Sequence, residues 1–457
     1  MKIRTIQHQR SAGRMTDMSR RRLLACGSAA ALAAPLAGCG LFEDDEKPIL
    51  VGKRENVLTV GAGLTVDADD KTPITLPAAQ PVADWPQPGR VPSHEAVNAE
   101  LAGLKERWSV RVGPERLTAS LAPQPVVADG VVYAMGADGV LSAFRLASGE
   151  PVWHTQSKPK KMRSSNVGGG LSVAGGTVYV VDGVAESLAL DAKDGTIKWR
   201  VDVGTPGRSA PTVVGNRMVF GTIDERLVAL ETSHGRTLWS YTATPSDTVV
   251  FGQPAPAIAD NVILAGFGSG DIAAVRLETG DAIWSDTLGA VGGRNSIMDF
   301  SSIHGLPVIS DGTAYAISVG QVLTSIDMRS GRRLWERTVS GKDGLVIVGE
   351  WLFVLSTDQQ LACLDKTSGH VRWVSQLPRF QHAKSQKGAI SWSGPLLVGG
   401  RLICVSDFAK LGMISADPVT GALSEVVRMR SPMSVAPVTA QGRVLVASDD
   451  GRLTAYG

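Results

Sequence analysis

One eleven-residue pattern recurs along this chain, and it constrains the fold more than any other feature. A small residue opens it, an acid often stands third, glycine is seventh and tryptophan is last. It occurs at residues 143–153 (AFRLASGEPVW), 189–199 (ALDAKDGTIKW), 229–239 (ALETSHGRTLW), 274–284 (AVRLETGDAIW), 325–335 (SIDMRSGRRLW) and 363–373 (CLDKTSGHVRW). A degenerate seventh copy, 415–425 (SADPVTGALSE), ends in Glu425. The glycines are Gly149, Gly195, Gly235, Gly280, Gly331, Gly369 and Gly421, each four residues before the last position. A repeat at this period marks a unit that cannot bury its apolar face alone and must stack on its neighbours.

Each copy follows a β-rich stretch such as Val178-Tyr179-Val180-Val181 or Trp351-Leu352-Phe353-Val354, then a tight turn such as Gly268-Ser269-Gly270. The unit reads as four antiparallel strands, with the pattern's glycine in the turn before the outermost strand and tryptophan on that strand. Sheets of this kind, apolar on both faces, pack radially into a propeller. The last unit begins near Ser434 and lacks a fourth strand, whereas residues 107–112 (RWSVRV) carry Trp108 with no repeat before them. Pairing 107–112 beside 452–456 completes an eighth blade and removes an open edge. The expected fold is therefore all-β: an eight-bladed propeller of four-stranded antiparallel blades over 104–457, closed by the N-terminal strand. Trp108, Trp153, Trp199, Trp239, Trp284, Trp335 and Trp373 lock the blades, and replacing a buried one by Ala is expected to cost about 3–5 kcal/mol.

The leader differs in character. Residues 1–38 hold seven basic groups and one acid, and Leu23 to Ala37 is apolar but too short and too poor in bulky side chains for a good membrane span. Leu36-Ala37-Gly38-Cys39 resembles a bacterial lipobox, which makes 1–38 a lipoprotein signal peptide and Cys39 the lipidation site. Ser19-Arg20-Arg21-Arg22-Leu23-Leu24 resembles a twin-arginine signal, a general export signal being the alternative, and Met15 and Met18 are further candidate starts. Gly40 in place of Asp favours sorting to the outer membrane. Removing 1–38 leaves 39 basic and 43 acidic residues, a balance that offers nothing to nucleic acid. Residues 39–103, rich in Asp, Pro and Ala, read as a lipidated tether partly ordered on the propeller surface, with Trp85 as a pin.

The repeated pattern resembles the tryptophan-docking motif of quinoprotein (PQQ) propellers. Among those, a lipoprotein of this length is similar to the BamB family, accessory lipoproteins of the outer-membrane β-barrel assembly machine. That resemblance implies a non-catalytic scaffold without a cofactor, lipid-anchored at the outer membrane and facing the periplasm. It also implies docking on the POTRA domains of BamA, a monomer within a hetero-complex, and unfolded outer-membrane proteins as further clients. By position, the family's contact loops match 248–254 and 297–304, but its Leu-x-Leu-Arg becomes Thr248-Val249-Val250-Phe251 and its two acids become Ser302 and His304. The contact candidates are Val250, Phe251, Arg294, Asp299, Phe300, Ser302 and His304; the structural alternative is that the apolar ones begin inner strands.

Two rivals remain, a PQQ-dependent dehydrogenase and a propeller of another envelope complex. Resemblance to the first would require a vicinal cysteine pair, and none occurs. Cys363 takes the small-residue place of its repeat and Cys404 lies in an apolar strand, as structural thiols do. The seven histidines are scattered, with no triad or metal spacing. Basic runs at Lys158, Lys160, Lys161 and Arg163, and at Arg379, Lys384 and Lys387, read as solvated loops, an acidic partner surface or lipid headgroups being the alternative.

Overall fold

Asp-Gly, Gly-Gly and Gln-Gly pairs between apolar runs supply the positive φ angles that two-residue hairpin turns demand. Asp129-Gly130 (φ 50° and 71°), Gly175-Gly176 (54° and 69°), Asp311-Gly312 (49° and 71°) and Gln441-Gly442 (48° and 70°) all turn the chain from an innermost strand into the next. The computed structural model describes residues 63–112, 123–136, 138–159, 168–245, 253–289 and 301–457, all within one compact unit, 59–457.

Among the described residues there is no helix, and eight four-stranded antiparallel sheets form the ring. Blade 1 runs from Val126–Ala128 to Pro151–Gln156, blade 2 from Gly169–Ala174 to Ile197–Asp202, and blade 3 from Thr212–Val214 to Thr237–Thr242. Blade 4 spans Ala257–Ala259 to Ala282–Thr287, blade 5 Val308–Ser310 to Arg333–Arg337, blade 6 Val346–Val348 to Val371–Gln376, and blade 7 Trp392–Val398 to Leu423–Val427. In blade 8 the strands Val438–Ala440, Arg443–Ala447 and Arg452–Tyr456 are completed by Glu106–Arg111, which pairs antiparallel with the last of them (Trp108 opposite Ala455, Val110 opposite Leu453). The two middle strands of each blade are buried almost throughout, whereas outer strands such as Ile197–Asp202 alternate between half-buried and exposed. A short hairpin, Phe380–His382 with Lys387–Ala389, stands out between blades 6 and 7 and carries the second basic run into solvent.

Every repeat tryptophan lies on the turn of the following blade. Ring atoms of Trp153 come within 2.6 Å of where a Cβ on Gly195 would sit, those of Trp199 within 2.8 Å at Gly235, and those of Trp373 within 2.6 Å at Gly421. The same approach joins Trp108 to Gly149, Trp239 to Gly280, Trp284 to Gly331 and Trp335 to Gly369. Each of these glycines has φ between 72° and 78°, so both the backbone and the indole exclude a side chain there. Each indole Nε1 also donates to the carbonyl three residues before its glycine, for example Trp153 to Ala192 and Trp239 to Leu277, at 2.9 and 3.0 Å.

The missing tryptophan has a physical reason. Glu425 belongs to blade 7, whose neighbour, blade 8, has no turn between its third and fourth strands. The two chain segments meet there instead, with Gly457 N donating to Lys105 O at 3.0 Å and Arg107 Nε to Gly457 O at 2.5 Å. With no glycine turn to cover, the indole has no seat, and Glu425 pairs with Arg401 at 2.9 Å.

The N-terminal segment departs from the expected surface tether. Residues 63–82 cross blade 6 from rim to axis. Asp67 accepts from Arg337 and Val371 N, Asp70 pairs with Arg372 and His370, and Thr75 O accepts from Trp351 Nε1. The chain then circles the axis once, touching the innermost strand or first turn of every blade in order. Trp85 exchanges two backbone bonds with Val127 of blade 1, and Pro86 O accepts from Val173 of blade 2. Gln87 Oε1 accepts from Val213 of blade 3, Pro92 O from Ile258 of blade 4, and Ser93 O from Ile309 of blade 5. Ala96 N donates to Ile347 of blade 6, Ala99 O accepts from Gly399 of blade 7, and Val82 O from Gln441 of blade 8. Gln80 and Ala99 pair where the loop crosses itself, with Gln80 N donating to Asn98 O and Glu100 N to Gln80 O, both at 2.9 Å. The described part of the supposed tether is thus a closed collar, because its backbone groups find partners on the blades' inner edges and need none from water.

Candidate partner-docking face

The innermost strands give the ring two distinct ends. Collar contacts fall at the middle or end of each strand, whereas the residues just before each strand face the opposite mouth. There they line an axial well of about 260 Å³, bounded by Gly168, Arg208, Gln253, His304, Lys342 and Ser434 among others, with Pro88 of the collar at its floor. Of the two segments picked out from the sequence, only their described ends, Gln253, Pro254 and His304, are seen to line the well.

Several charged groups of the well are buried. Lys342 Nζ is held by Asp343 and by Ser393 Oγ, both at 2.8 Å. Burial raises the Asp343 carboxyl above the usual range against the pull of Lys342. Burial, with Lys342 nearby, pushes the His304 imidazole down to about 4, so it is neutral at pH 7. Burial also lowers the Arg208 guanidinium. Gln253 Nε2 donates to Glu225, whose carboxylate also accepts from Gly268 N and is raised by burial. A half-hidden mouth lined by Lys342, Arg208, Asp343 and His304 offers polar groups to a protein surface.

Of the seven contact candidates, Val250, Phe251, Arg294, Asp299 and Phe300 lie outside the described residues. Ser302 requires a correction. Its residue is 1% exposed, and its carbonyl accepts from Val319 N at 2.9 Å while Ile303 N donates to Phe267 O, so this stretch is drawn down between blades 4 and 5. Ile303 fills the space beside Gly266. Ser302 therefore does not face a partner; His304 reaches the lining of the well. Of the other singled-out groups, Cys39 lies outside the described residues, as do Lys160, Lys161 and Arg163. Cys363 and Cys404 are fully buried free thiols, raised well above their ordinary range by burial. Among the described residues no group of three or more His, Cys, Asp or Glu side chains is placed to hold a metal ion.

The sequence reading missed the collar. The available signal was Trp85-Pro86 and the spaced prolines and glycine of 86–92, a stretch that cannot form a regular strand but can expose single carbonyls in several directions. His94 was also missed. It is 3% exposed, its Nδ1 bonds Pro307 O at 2.8 Å, and burial pushes its pKa down to about 4.

Eight blades joined by indoles on glycine turns place the chain in the class of quinoprotein-like propellers, a class that includes both enzymes and assembly factors. Solved structures of this fold include BamB from Moraxella catarrhalis (TM-score 0.65, 19% identity, covering 77% of this chain and 99% of that one). They also include the quinohemoprotein alcohol dehydrogenase of Comamonas testosteroni (TM-score 0.63, 14% identity, covering 83% and 81%). These likenesses establish the fold. The family is settled by sequence: the family model described as outer membrane protein assembly factor BamB matches residues 94–168 and 137–375. The chain belongs to the BamB family. Relatives named outer membrane protein assembly factor BamB occur in Salmonella typhimurium (27% identical, covering 76% of this chain and 87% of the relative) and Yersinia pestis (26%, covering 71% and 81%). Another occurs in Xanthomonas campestris (28%, covering 76% and 84%).

Proposed function

We propose that this protein is a non-catalytic scaffold of the outer-membrane protein assembly machine, held to the outer membrane by lipid on Cys39 and facing the periplasm. It docks on the POTRA domains of BamA through the loops around the open mouth of the axial well. The observation that carries this reading is the family match across most of the ring, 94–375. What supports this face is that Gln253, Pro254 and His304, the described ends of 248–254 and 297–304, line the well on the side away from most of the collar. Val250, Phe251, Arg294, Asp299 and Phe300 are the proposed contacts, with His304 at the rim of the well. Residues 1–38 serve as the signal peptide, and the lipidated tether from Cys39 leads into the collar and the ring. The ring acts as a monomer in the hetero-complex, and unfolded outer-membrane proteins reach it by strand addition at outer blade edges.

Extraction in mild detergent followed by affinity purification should bring BamA down with this protein. The fold shared with alcohol dehydrogenases makes a quinoprotein the second reading. Dye-linked alcohol oxidation after addition of PQQ and calcium, without BamA in the eluate, would overturn the scaffold in its favour.

A further inference from the structure

We propose that the collar, residues 80–102, is a second closure of the ring, independent of the N-terminal strand in blade 8. The strand joins two neighbours in one sheet. The collar instead bonds to all eight blades, and it is closed on itself by the Gln80–Ala99 pair, so its loop holds its diameter. Its contacts are built. Val82, Ala99 and His94 are buried at 7, 1 and 3% exposure, and Val82, Trp85, Ala99 and Leu101 pack with Val398, Val405 and Val446 of blades 7 and 8. Trp85 also packs against the core between blades 8 and 1. Gly89 lets the chain double back on His94: a Cβ there would lie 2.6 Å from the imidazole. Asn98 adds two further ties, to Pro77 O and from Gly400 N, both at 3.0 Å.

Two consequences follow. A blade cannot swing out of the ring without breaking the collar as well as its indole seat. A pull on the N-terminus meets first the ties of Asp67, Asp70 and Thr75 and then the collar, which spreads it over all eight blades. The collar also reaches into the axis, where Pro88 lines the well.

The test uses the full mature chain with a specific protease site inserted between Ala102 and Gly103, which leaves the blade 8 strand attached to the ring. After cleavage, the N-terminal fragment should stay bound through gel filtration at micromolar dilution and leave only in denaturant. Release of the fragment from a ring that stays folded would overturn the proposal. Hydrogen exchange on the unmodified protein provides a second measurement, which the insertion cannot spoil. The amides of Val173, Ile258, Ile309, Gly399 and Gln441 donate to collar oxygens. They should exchange roughly 1,000-fold or more slower than free-peptide amides and in step with middle-strand amides such as Leu352. Exchange within about tenfold of the free-peptide rate would contradict a closed collar.

Discussion

Replacing Gly235 with Ala tests whether the blades are held as the geometry indicates. At φ 72° an L-residue costs about 1–2 kcal/mol by itself. The added methyl would also stand 2.8 Å from Trp199 Cε3 and 2.9 Å from both Trp199 Cζ3 and Val201 Cγ1. The indole cannot retreat freely, because its Nε1 is bonded to Thr232 O at 2.9 Å, and overpacking of this kind costs about 1–3 kcal/mol. The total is about 2–5 kcal/mol. Gly215→Ala is the internal control, since Gly215 has φ 58° and nothing within 4 Å of its would-be Cβ, so only the backbone cost remains. Urea unfolding followed by tryptophan fluorescence should place Gly235→Ala about 1–3 kcal/mol below Gly215→Ala, with unchanged slopes. Adding Trp199→Ala should relieve part of the clash, making the double variant less destabilised than the sum of the singles by about 1 kcal/mol. Equal costs for the two glycine variants, or strict additivity with Trp199→Ala, would refute tight seating of the indole.

Other outcomes follow from the same structure. Glu425→Trp should add less than about 0.5 kcal/mol, because blade 8 offers no glycine turn to cover; a gain of 2 kcal/mol in urea would show an unrecognised seat. Removing residues 452–457 strips blade 8 of the strand that joins its two halves and should yield aggregated or protease-sensitive protein, read by light scattering. The His94 pKa, lowered from 6.5 to about 4, means the unfolded chain takes up the proton first. Its share of stability is full above pH 6.5 and falls by about 3 kcal/mol as the pH drops to 4. Relative to His94→Gln, the wild type should therefore lose ground over that window, and a stability difference constant from pH 7 to 4 would contradict a buried neutral imidazole. Cys363 and Cys404, both 0% exposed, should resist thiol reagents until the ring unfolds.

The ring was legible in the sequence because its unit is short, local and repeated. The glycine at the seventh position and the tryptophan at the eleventh state both halves of one contact, and Trp108 without a repeat before it pointed to the shared eighth blade. The collar was not legible, because it carries no periodicity. Its bonds to the ring are mostly made by backbone groups, which any residue supplies, and its order comes from partners up to hundreds of positions away, such as Pro307 for His94. Ser302 misled for a related reason. Matching by position to an acid of the family's contact loop put Ser302 among the candidates, but the apolar neighbour Ile303 is drawn under Gly266 and takes Ser302 inward with it. The vacancy at Glu425 looked like decay of a repeat, yet it is the necessary result of closing a ring at a junction that has no turn.

Site-specific photocrosslinking in cells tests the central functional claim most directly. A photoreactive residue at Val250, Phe251 or Phe300, the proposed contacts, should crosslink to the POTRA domains of BamA. One at Arg90, on the collar at the other end of the axis, should not. Crosslinks to BamA from the collar side, with none from the inter-blade loops, would contradict the assigned docking face.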